Sequence, residues 1–488
     1  MRKYITILAA ICLVQLLLLC GCEQGDMPET PTPVIEEEKP GEDIVASQVW
    51  PGEEWQVADS PEGLGWSSDK LDKAKAYSEK IGTAALMIVE DGVVVETWGD
   101  ITRKYQCHSM RKSMLSALYG IYVAEGKIDL TKTLDELGID DKKPLTETEK
   151  SATVLDLLKA RSGVYIRAAG ESDSMKAIRP ERGSHLPGTF WYYNNWDFNA
   201  LGTIFDQETG EENIYQAFKS RIAEPIGMQD YVPKRRYTYE SYSVHPYYGF
   251  RLSTRDLARF GLLFLREGRW GDEQIIPAEW ARESTASISE RGPESGYGYM
   301  WWTGEKNGVF PNVYIDEQVY WAWGYNAHLV IVIPDRNLVI VHREDTDQSN
   351  PPVIIEAQLG GLLWLILDAA GEENIGESLS FLDLAEGKHL TAEELREVVP
   401  GSTLRQDESI GELAASIMED GTLSLTLDGQ LLENGEWWVE DDMLCAAFSN
   451  PNIGGGCVYL VLEGTMMKFY GEDGLLTETY EFSKETQK

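Results

Sequence analysis

The 488-residue chain carries 81 acidic and 43 basic residues, which gives a formal net charge of −38 at pH 7. A surface with this charge repels polyphosphate, which argues against nucleic acid as a partner. With 43% hydrophobic residues, the chain is long and apolar enough to form two or three domains.

The N-terminus has the pattern of a targeting segment. Arg2 and Lys3 precede an apolar run over residues 4–20, and Gly21 stands just before Cys22. This pattern resembles a bacterial lipobox, so we expect a lipoprotein signal peptide over residues 1–21 and a lipid on Cys22. The alternative is an uncleaved membrane anchor, since the apolar run is of borderline length. Either way, we expect the rest of the chain in the cell envelope, facing the periplasm or the cell exterior.

Residues 22–50 contain several prolines and glutamates and almost no large apolar side chains. Because such a segment cannot build a core, it is predicted to be a disordered tether. The patterns that follow predict two folded domains, over residues 51–375 and 390–488.

Two Ser-x-x-Lys patterns follow along the chain. The first, Ser67 to Lys70, leads into a charged segment, where its serine is best explained as the N-cap of a surface helix. The second, Ser109 to Lys112, leads into an apolar stretch with helical spacing, so its side chains are expected to be buried. This spacing places both side chains on one face of a helical turn. A desolvated, neutral Lys112 would then act as base for a nucleophilic Ser109.

An aromatic loop over residues 187–202 contains a possible second proton carrier, Tyr193. A tyrosine near a lysine ammonium is favoured as phenolate, which suits it to passing a proton to a leaving group. Two residues further on, Asn195 is placed to hold Lys112 or a substrate amide. The alternative for this loop is core packing or sugar stacking.

Strand and helix patterns surround these candidates. An Asp-Gly turn between two apolar runs predicts a hairpin over residues 84–97, and helices are predicted over residues 252–265 and 352–370. A strand series follows over residues 296–342, with an antiparallel pair around Pro334.

From about residue 390 the chain changes to short strands and turns, which predicts a small β-barrel or sandwich. Cys445 and Cys457 flank a turn there, and in an exported protein an oxidised pair across a hairpin is plausible. Cys107 is expected to be a buried small hydrophobe. The six histidines show no metal-ligand spacing, so no metal or cofactor is expected.

Three boxes in this order resemble the serine hydrolases related to class C beta-lactamases and penicillin-recognising enzymes. They are Ser109-Met110-Arg111-Lys112, Tyr193-Asn194-Asn195 and Ala322-Trp323-Gly324, with further matching segments at residues 251–261 and 270–277. The resemblance spans roughly residues 60–370. It implies an α+β fold of the beta-lactamase/transpeptidase type, an antiparallel sheet flanked by helices with a helical subdomain. The family also places Leu-Gly eight and nine residues after its tyrosine, which favours Tyr193 over Tyr192.

The third box departs from the family pattern, because Ala322-Trp323-Gly324 replaces Lys-Thr-Gly. In beta-lactam-directed relatives this lysine helps to receive the substrate carboxylate, so its absence favours the esterase and amide-hydrolase branch that includes 6-aminohexanoate-dimer hydrolase. By analogy, this box would line the substrate site, and the backbone N–H groups of Ser109 and Tyr325 would form an oxyanion hole. His328 either faces the pocket or is satisfied by neighbouring backbone, while His108 and His342 are assigned to structure.

These observations predict an exported, lipid-anchored serine hydrolase that cleaves an ester or amide of a small molecule or peptide through an acyl-serine. Two alternatives stay open. One is a D-alanyl peptidase or beta-lactamase, and the other is a catalytically silent surface protein that binds a sugar or peptide. The oligomeric state is not predicted.

Overall fold

A computed structural model describes residues 49–211, 213–349, 351–376, 379, 389–408, 411–448, 456–471 and 474–484. The predicted signal peptide, Cys22 and the tether up to residue 48 lie outside the described residues. Among the helices in the described part of the chain, none is long and apolar enough to cross a membrane.

The larger part of the molecule is built on an antiparallel sheet of eight strands, in the order β2-β1-β14-β13-β12-β11-β10-β9. The predicted hairpin forms one edge, because the turn at Asp91 and Gly92 has positive φ and reverses the chain tightly. The strands are β1 Ala85–Glu90, β2 Val93–Gly99, β9 Ser289–Gly292, β10 Ser295–Tyr297, β11 Trp302–Lys306, β12 Ile315–Gly324, β13 His328–Ile333 and β14 Leu338–Arg343.

Three short pairs stand apart from this sheet: β3 Tyr105–Gln106 with β6 Arg251–Leu252, β4 Tyr237–Thr238 with β5 Tyr247–Tyr248, and β7 Arg269–Trp270 with β8 Glu273–Gln274. The first of these pairs leads directly into the Ser-x-x-Lys segment.

The helices of this part are α1 Ser68–Ile81, α2 Arg111–Ala124, α3 Glu147–Lys150, α4 Val154–Leu158, α5 Asp173–Ile178, α6 Asn195–Thr209, α7 Ile214–Phe218, α8 Thr254–Leu265, α9 Ala278–Ser284 and α10 Glu356–Ala369. Ser67 is the N-cap of α1, where its side chain accepts a hydrogen bond from Lys70 N.

Both faces of the sheet are buried, so its central strands are almost continuously apolar. On β13, Val330 and Val332 point into the core that contains α2, α6 and α8, whereas Leu329 and Ile331 point into the core that contains α1 and α10. Helix α8 can approach the sheet closely because Gly261 has no side chain. A Cβ at this position would lie 2.5 Å from Val339 Cγ1. Helices α2, α6 and α8 therefore lie on one face of the sheet, and helices α1 and α10 lie on the other.

The C-terminal part is a closed barrel of eight antiparallel strands with a core of its own. A short helix, α11 Ala392–Val398, adds the fully buried Leu395 to that core. From the turn before the last strand, Leu475 joins the core around α10, within reach of Gly361. The strands are β15 Ser402–Glu408, β16 Gly411–Ile417, β17 Thr422–Leu427, β18 Gln430–Glu440, β19 Met443–Phe448, β20 Gly456–Glu463, β21 Met466–Tyr470 and β22 Leu476–Lys484. The predicted fold class, an α+β sheet with helices and a small all-β domain, is confirmed.

Cys445 and Cys457 lie opposite each other on β19 and β20 and are joined by a disulfide. Cys107 is a free, fully buried cysteine in the larger part. Burial raises the pKa of its thiol, which suits a small hydrophobe.

Candidate active site

Ser109 lies in a tight turn that two strands hold in place. Strand β3 pairs with β6, and Cys107 N then donates a hydrogen bond to Phe250 O at 2.9 Å. The chain next forms one 3₁₀ turn over His108–Met110, with His108 at φ +46°. A positive φ is unfavourable for a side chain of this size, so strain is concentrated beside the candidate nucleophile. Ser109 therefore precedes the α-helix rather than lying inside it.

Lys112 lies in the first turn of α2 and is only 1% exposed. Its Nζ is 2.7 Å from Ser109 Oγ and 2.6 Å from Tyr193 Oη. It also lies 4.4 and 4.8 Å from the ring centroids of Tyr193 and Phe198. The predicted pairing of serine and lysine is thus present, and the second proton carrier lies at the same amine.

Burial holds the pKa of Lys112 well below its ordinary value, and the neighbouring charge of Arg111 lowers it further. Among the described residues, no carboxylate lies within ion-pair distance of Lys112. A desolvated amine with no counter-charge favours the neutral form. It is in this form that the lysine can accept a proton from a serine hydroxyl.

The protonation of Tyr193 differs from the sequence-based expectation of a phenolate. Burial raises the pKa of Tyr193 to about 12, although its hydrogen bond with Ser109 acts in the opposite direction. The expectation required a lysine ammonium next to the phenol, and the buried Lys112 does not supply one. Tyr193 therefore holds its proton at neutral pH and can donate it.

The residues on either side of Tyr193 fix its loop at the start of α6. Tyr192 points away from the site and donates a hydrogen bond to Met175 O at 2.9 Å, which agrees with the choice of Tyr193. Asn194 caps α6 by accepting from Trp196 N and donates to Val164 O at 2.8 Å.

Asn195 is 6% exposed, and its Nδ2 donates to Gly170 O at 3.2 Å. Its Oδ1 is buried and has no hydrogen-bond partner in the described part of the chain. Leaving a buried acceptor without a hydrogen bond costs free energy of folding, and a ligand that donates to the atom would remove this cost. Asn195 does not hold Lys112, whose amine contacts Ser109 and Tyr193 instead, so only its predicted contact with a substrate amide remains.

The end of β12 comes against the Ser109 turn. A Cβ added to Gly324 would stand 2.6 Å from Cys107 O, so only glycine permits this approach. Strand β11 pairs with β12 only as far as Trp302 opposite Trp321, which leaves the edge of residues 322–324 without a strand partner on that side. This edge can pair with an extended substrate.

The side chains of the third box point to opposite faces of the sheet. Ala322 is 1% exposed and belongs to the core on the side of Lys112. Trp323 packs on the other face, against Phe310 at 5.9 Å and Trp302 at 5.3 Å between ring centroids. The structure therefore brings Ala322 and Gly324 to the site and directs the indole of Trp323 away from their face.

Tyr325 follows at the tip of the β12–β13 turn, with a 66% exposed side chain in edge contact with the His108 ring. Asn326 holds this turn by donating to Glu344 Oε2 at 3.0 Å and accepting from Ile354 N at 3.1 Å. These two hydrogen bonds fix the turn, and its exposed tyrosine lies against His108, the residue before Ser109.

His328 does not face solvent. It is fully buried, and Arg343 Nε donates to its Nδ1 at 3.0 Å. Burial holds the pKa of His328 well below its ordinary value, so the ring stays neutral. The predicted substrate contact therefore does not fit the structure, and the ring is a structural histidine whose partner is the Arg343 side chain rather than the neighbouring backbone.

Two aromatic residues beside Tyr193 were not identified from the sequence. The Trp302 ring lies 5.2 Å from the Tyr193 ring, the Trp191 ring lies 6.3 Å from Trp302, and the Arg291 guanidinium lies 4.2 Å above Trp302. Trp302 and Arg291 come from segments distant in the sequence, whereas Trp191 belongs to the aromatic loop of residues 187–202. Together they form an aromatic wall next to the candidate proton donor.

Comparisons with known proteins agree with this fold. The model of the Beta-lactamase family matches residues 69–359, which is more than half of the chain. A protein of Bacillus anthracis described as a 6-aminohexanoate-dimer hydrolase is 19% identical, over 66% of this chain and 87% of its own, with a TM-score of 0.49. The octameric penicillin-binding protein homologue from Pyrococcus abyssi is 16% identical, over 85% of this chain and 99% of its own, with a TM-score of 0.48.

A class C beta-lactamase mutant is 14% identical, over 62% of this chain and 96% of its own, with a TM-score of 0.46. No curated protein sequence matched the chain. The family is one of serine hydrolases that act through an acyl-enzyme, and the extent of its match shows that this chain belongs to the Beta-lactamase family.

Proposed function

We propose that this protein cleaves an ester or amide, with Ser109 as nucleophile, Lys112 as base and Tyr193 as proton donor. The observation that supports this assignment best is the position of the Lys112 amine. It is buried, has no carboxylate partner among the described residues, and lies within 2.7 Å of both Ser109 Oγ and Tyr193 Oη.

The reaction follows from these contacts. Lys112 takes the proton of the Ser109 hydroxyl as Oγ attacks the substrate carbonyl carbon, and the N–H groups of Ser109 and Tyr325 receive the developing oxyanion. Tyr193 gives its proton to the leaving group as the bond to that group breaks, and the Lys112 ammonium passes the proton it took from Ser109 to the Tyr193 phenolate. In the second half-reaction Lys112 takes a proton from water as the water oxygen attacks the acyl carbon. The bond from that carbon to Ser109 Oγ breaks, the ammonium returns the proton to Oγ, and the carboxylic acid leaves.

The walls of the site favour a neutral substrate over a carboxylate-bearing one. Ala322 stands where beta-lactam-directed relatives carry a lysine, and the wall beside Tyr193 is aromatic through Trp302 and Trp191. The third box therefore offers no lysine to the carboxylate of a beta-lactam or a D-alanyl peptide. We therefore favour apolar or aromatic esters and amides.

The first prediction concerns covalent labelling. Ser109→Ala is expected to abolish labelling by a fluorophosphonate probe, because the probe reacts only with an activated serine hydroxyl. In-gel fluorescence of the purified protein measures this. Ser67→Ala is the matched control: it alters the other Ser-x-x-Lys copy, which caps α1, and labelling should persist.

Equal labelling of the two variants would contradict the assignment. Stable acylation by a fluorescent penicillin would favour the beta-lactam-directed alternative, and binding of cell-wall fragments without turnover of activated esters would favour the silent binder.

We also propose, from the N-terminal sequence alone, that the protein is exported and anchored through a lipid on Cys22.

A further inference from the structure

The strongest unexplained feature near the site is the burial of Arg111. It is fully buried at the start of α2, immediately before the candidate base, and within the described part of the chain its Nε and Nη1 make no hydrogen bond of good geometry. Its hydrogen bond from Nη2 to Asn199 Oδ1 is long, at 3.3 Å, and the guanidinium also interacts with the Tyr248 hydroxyl. A guanidinium does not lose its proton in proteins, so this is a buried positive charge with little polar compensation.

Other buried arginines of the described chain are better satisfied. Arg343 donates to His328 Nδ1, Leu252 O and Gln106 O, and Arg259 donates to three backbone carbonyl oxygens. Arg111 is instead held by aromatic faces, with its Cζ 4.3 Å from the Tyr247 ring centroid and 4.0 Å from that of Tyr248. Cation–π contacts stabilise a guanidinium without neutralising its charge.

We propose that Arg111 is a positioning residue for catalysis, whose unneutralised, buried guanidinium keeps the adjacent Lys112 amine uncharged and so ready to accept a proton. The inference rests on the proposed function. It assigns to the third residue of the Ser-x-x-Lys box a role that the spacing of the box does not indicate.

Three arrangements make this field effective. Adjacent helix residues point in different directions, so Arg111 is directed to Tyr248 and Asn199 while Lys112 is directed to Ser109 and Tyr193. Both the guanidinium and the amine are inside the protein, where a second positive charge on Lys112 would be repelled more strongly than in water. Both also lie at the positive end of the α2 dipole, which disfavours a second cation there.

The groups around Lys112 oppose neither effect. Those from the Ser109 turn, the tyrosine loop, β5 and β10 are hydroxyls, and burial favours the neutral forms of Tyr193, Tyr248 and Tyr297 by raising their pKa values. A buried carboxyl on α6, Asp197, accepts hydrogen bonds from Ser162 Oγ and Asn194 Nδ2, and burial raises its pKa well above the ordinary range. The set is Ser109, Tyr193, Asp197, Tyr247, Tyr248 and Tyr297.

The test measures the titration of Lys112 directly, by NMR of protein carrying ¹³Cε-labelled lysine, with Lys112→Met to assign the signal. In Arg111→Met the titration should move up by about one pH unit or more, the usual size for removal of a nearby like charge. The acid limb of kcat/KM for an ester substrate should move up with it. Arg111→Lys keeps the charge and should leave both near their original positions.

A second variant changes the charge balance without removing the arginine. Asn199→Asp places a carboxylate next to the guanidinium with almost no change in shape, so it should raise the Lys112 titration as Arg111→Met does. Arg259→Met controls for the general cost of deleting a buried arginine and should not move the titration. If Arg111→Met does not fold, Asn199→Asp decides.

An unchanged Lys112 titration in Asn199→Asp, or an equal shift in Arg111→Lys and Arg111→Met, overturns the inference. The NMR measurement needs no turnover. Failure of the proposed function would show as a protein that hydrolyses no ester, whereas failure of this inference would show as a titration that ignores Arg111.

Discussion

At the scale of single residues, the site depends on two buried groups that are both held neutral. The Lys112 amine and the Tyr193 phenol are both buried, and burial disfavours the charged form of each. The result is a neutral base and a protonated donor at hydrogen-bond distance, which is the pair that acyl transfer needs.

Glu344 is a buried carboxylic acid next to the turn that carries Tyr325, where it accepts a hydrogen bond from Asn326. It is fully buried, its Oε1 has no partner among the described residues, and burial raises its pKa to about 7. A carboxyl whose pKa is raised in the folded state binds more protons folded than unfolded, so stability falls as pH rises from about 4.5 to about 7.

Glu344→Gln should remove this loss of stability. The amide keeps the shape and carries no charge, so the variant should gain at least about 1 kcal/mol relative to the parent between pH 5 and pH 8. Urea unfolding at several pH values measures this, and Glu305→Gln at an exposed position of β11 controls for the loss of one carboxylate. A constant difference between Glu344→Gln and the parent across this range would contradict the prediction.

At the scale of elements, the position of Ser109 depends on close contacts between strands and the turn that carries it. Gly324 lets the end of β12 touch the Ser109 turn, and the β3–β6 pair fixes the start of that turn. The second Ser-x-x-Lys copy has no such support. Ser67 only caps α1, and Lys70 pairs with Asp368 at 2.8 Å on a partly exposed surface. Identical spacing therefore yields a site in one place and a helix cap in the other.

The β19–β20 hairpin of the barrel depends on a covalent link between Cys445 and Cys457, which are 12 positions apart. Replacing both cysteines by alanine should destabilise the barrel by about 3 kcal/mol, the size expected for opening a loop of this length. Urea unfolding followed by tryptophan fluorescence measures it.

Fluorophosphonate labelling of Ser109 should survive the loss of this disulfide, since the barrel and the site have separate cores. Loss of labelling at denaturant concentrations where the parent is still labelled would show instead that the barrel supports the site. Cys107→Ala is the control for removal of a buried cysteine without a disulfide.

At the scale of the whole molecule, a strongly acidic chain combines a hydrolase part with a small barrel. The two have separate cores, and Leu475 of the barrel is buried against α10 of the hydrolase part. This contact brings the barrel against the sheet face opposite the site. The barrel strands contain no group that reaches Ser109 among the described contacts.

The proposed anchor predicts the behaviour of the intact chain in a bacterial cell. Cys22→Ala should abolish incorporation of labelled palmitate, because the cysteine thiol is the attachment point of a lipoprotein lipid. Metabolic labelling followed by membrane fractionation measures this. Palmitate-free protein that stays in the membrane fraction in both parent and variant would instead support the uncleaved anchor.

The sequence predicted those features that depend on neighbours along the chain. The Ser109–Lys112 spacing, the hairpin at Asp91 and Gly92 and the N-cap of α1 all follow from local periodicity and turn chemistry. The choice of Tyr193 over Tyr192 needed the resemblance to a family, because both tyrosines fit the spacing.

Other features were set only when distant segments packed together. Lys112 is buried without a carboxylate partner among the described residues, so it supplies no ammonium that would favour a Tyr193 phenolate. Burial therefore leaves Tyr193 a protonated donor, and the hydrogen bond from Arg343 makes His328 structural. The packing of Trp302 against Trp191 and Tyr193, and the unneutralised charge of Arg111, have no local signature either. By itself the sequence determined which residues are reactive types at usable spacing. The tertiary structure decided their protonation states and the residues that surround them. Desolvation and long-range contacts set the pKa values, and neither is encoded in adjacent residues.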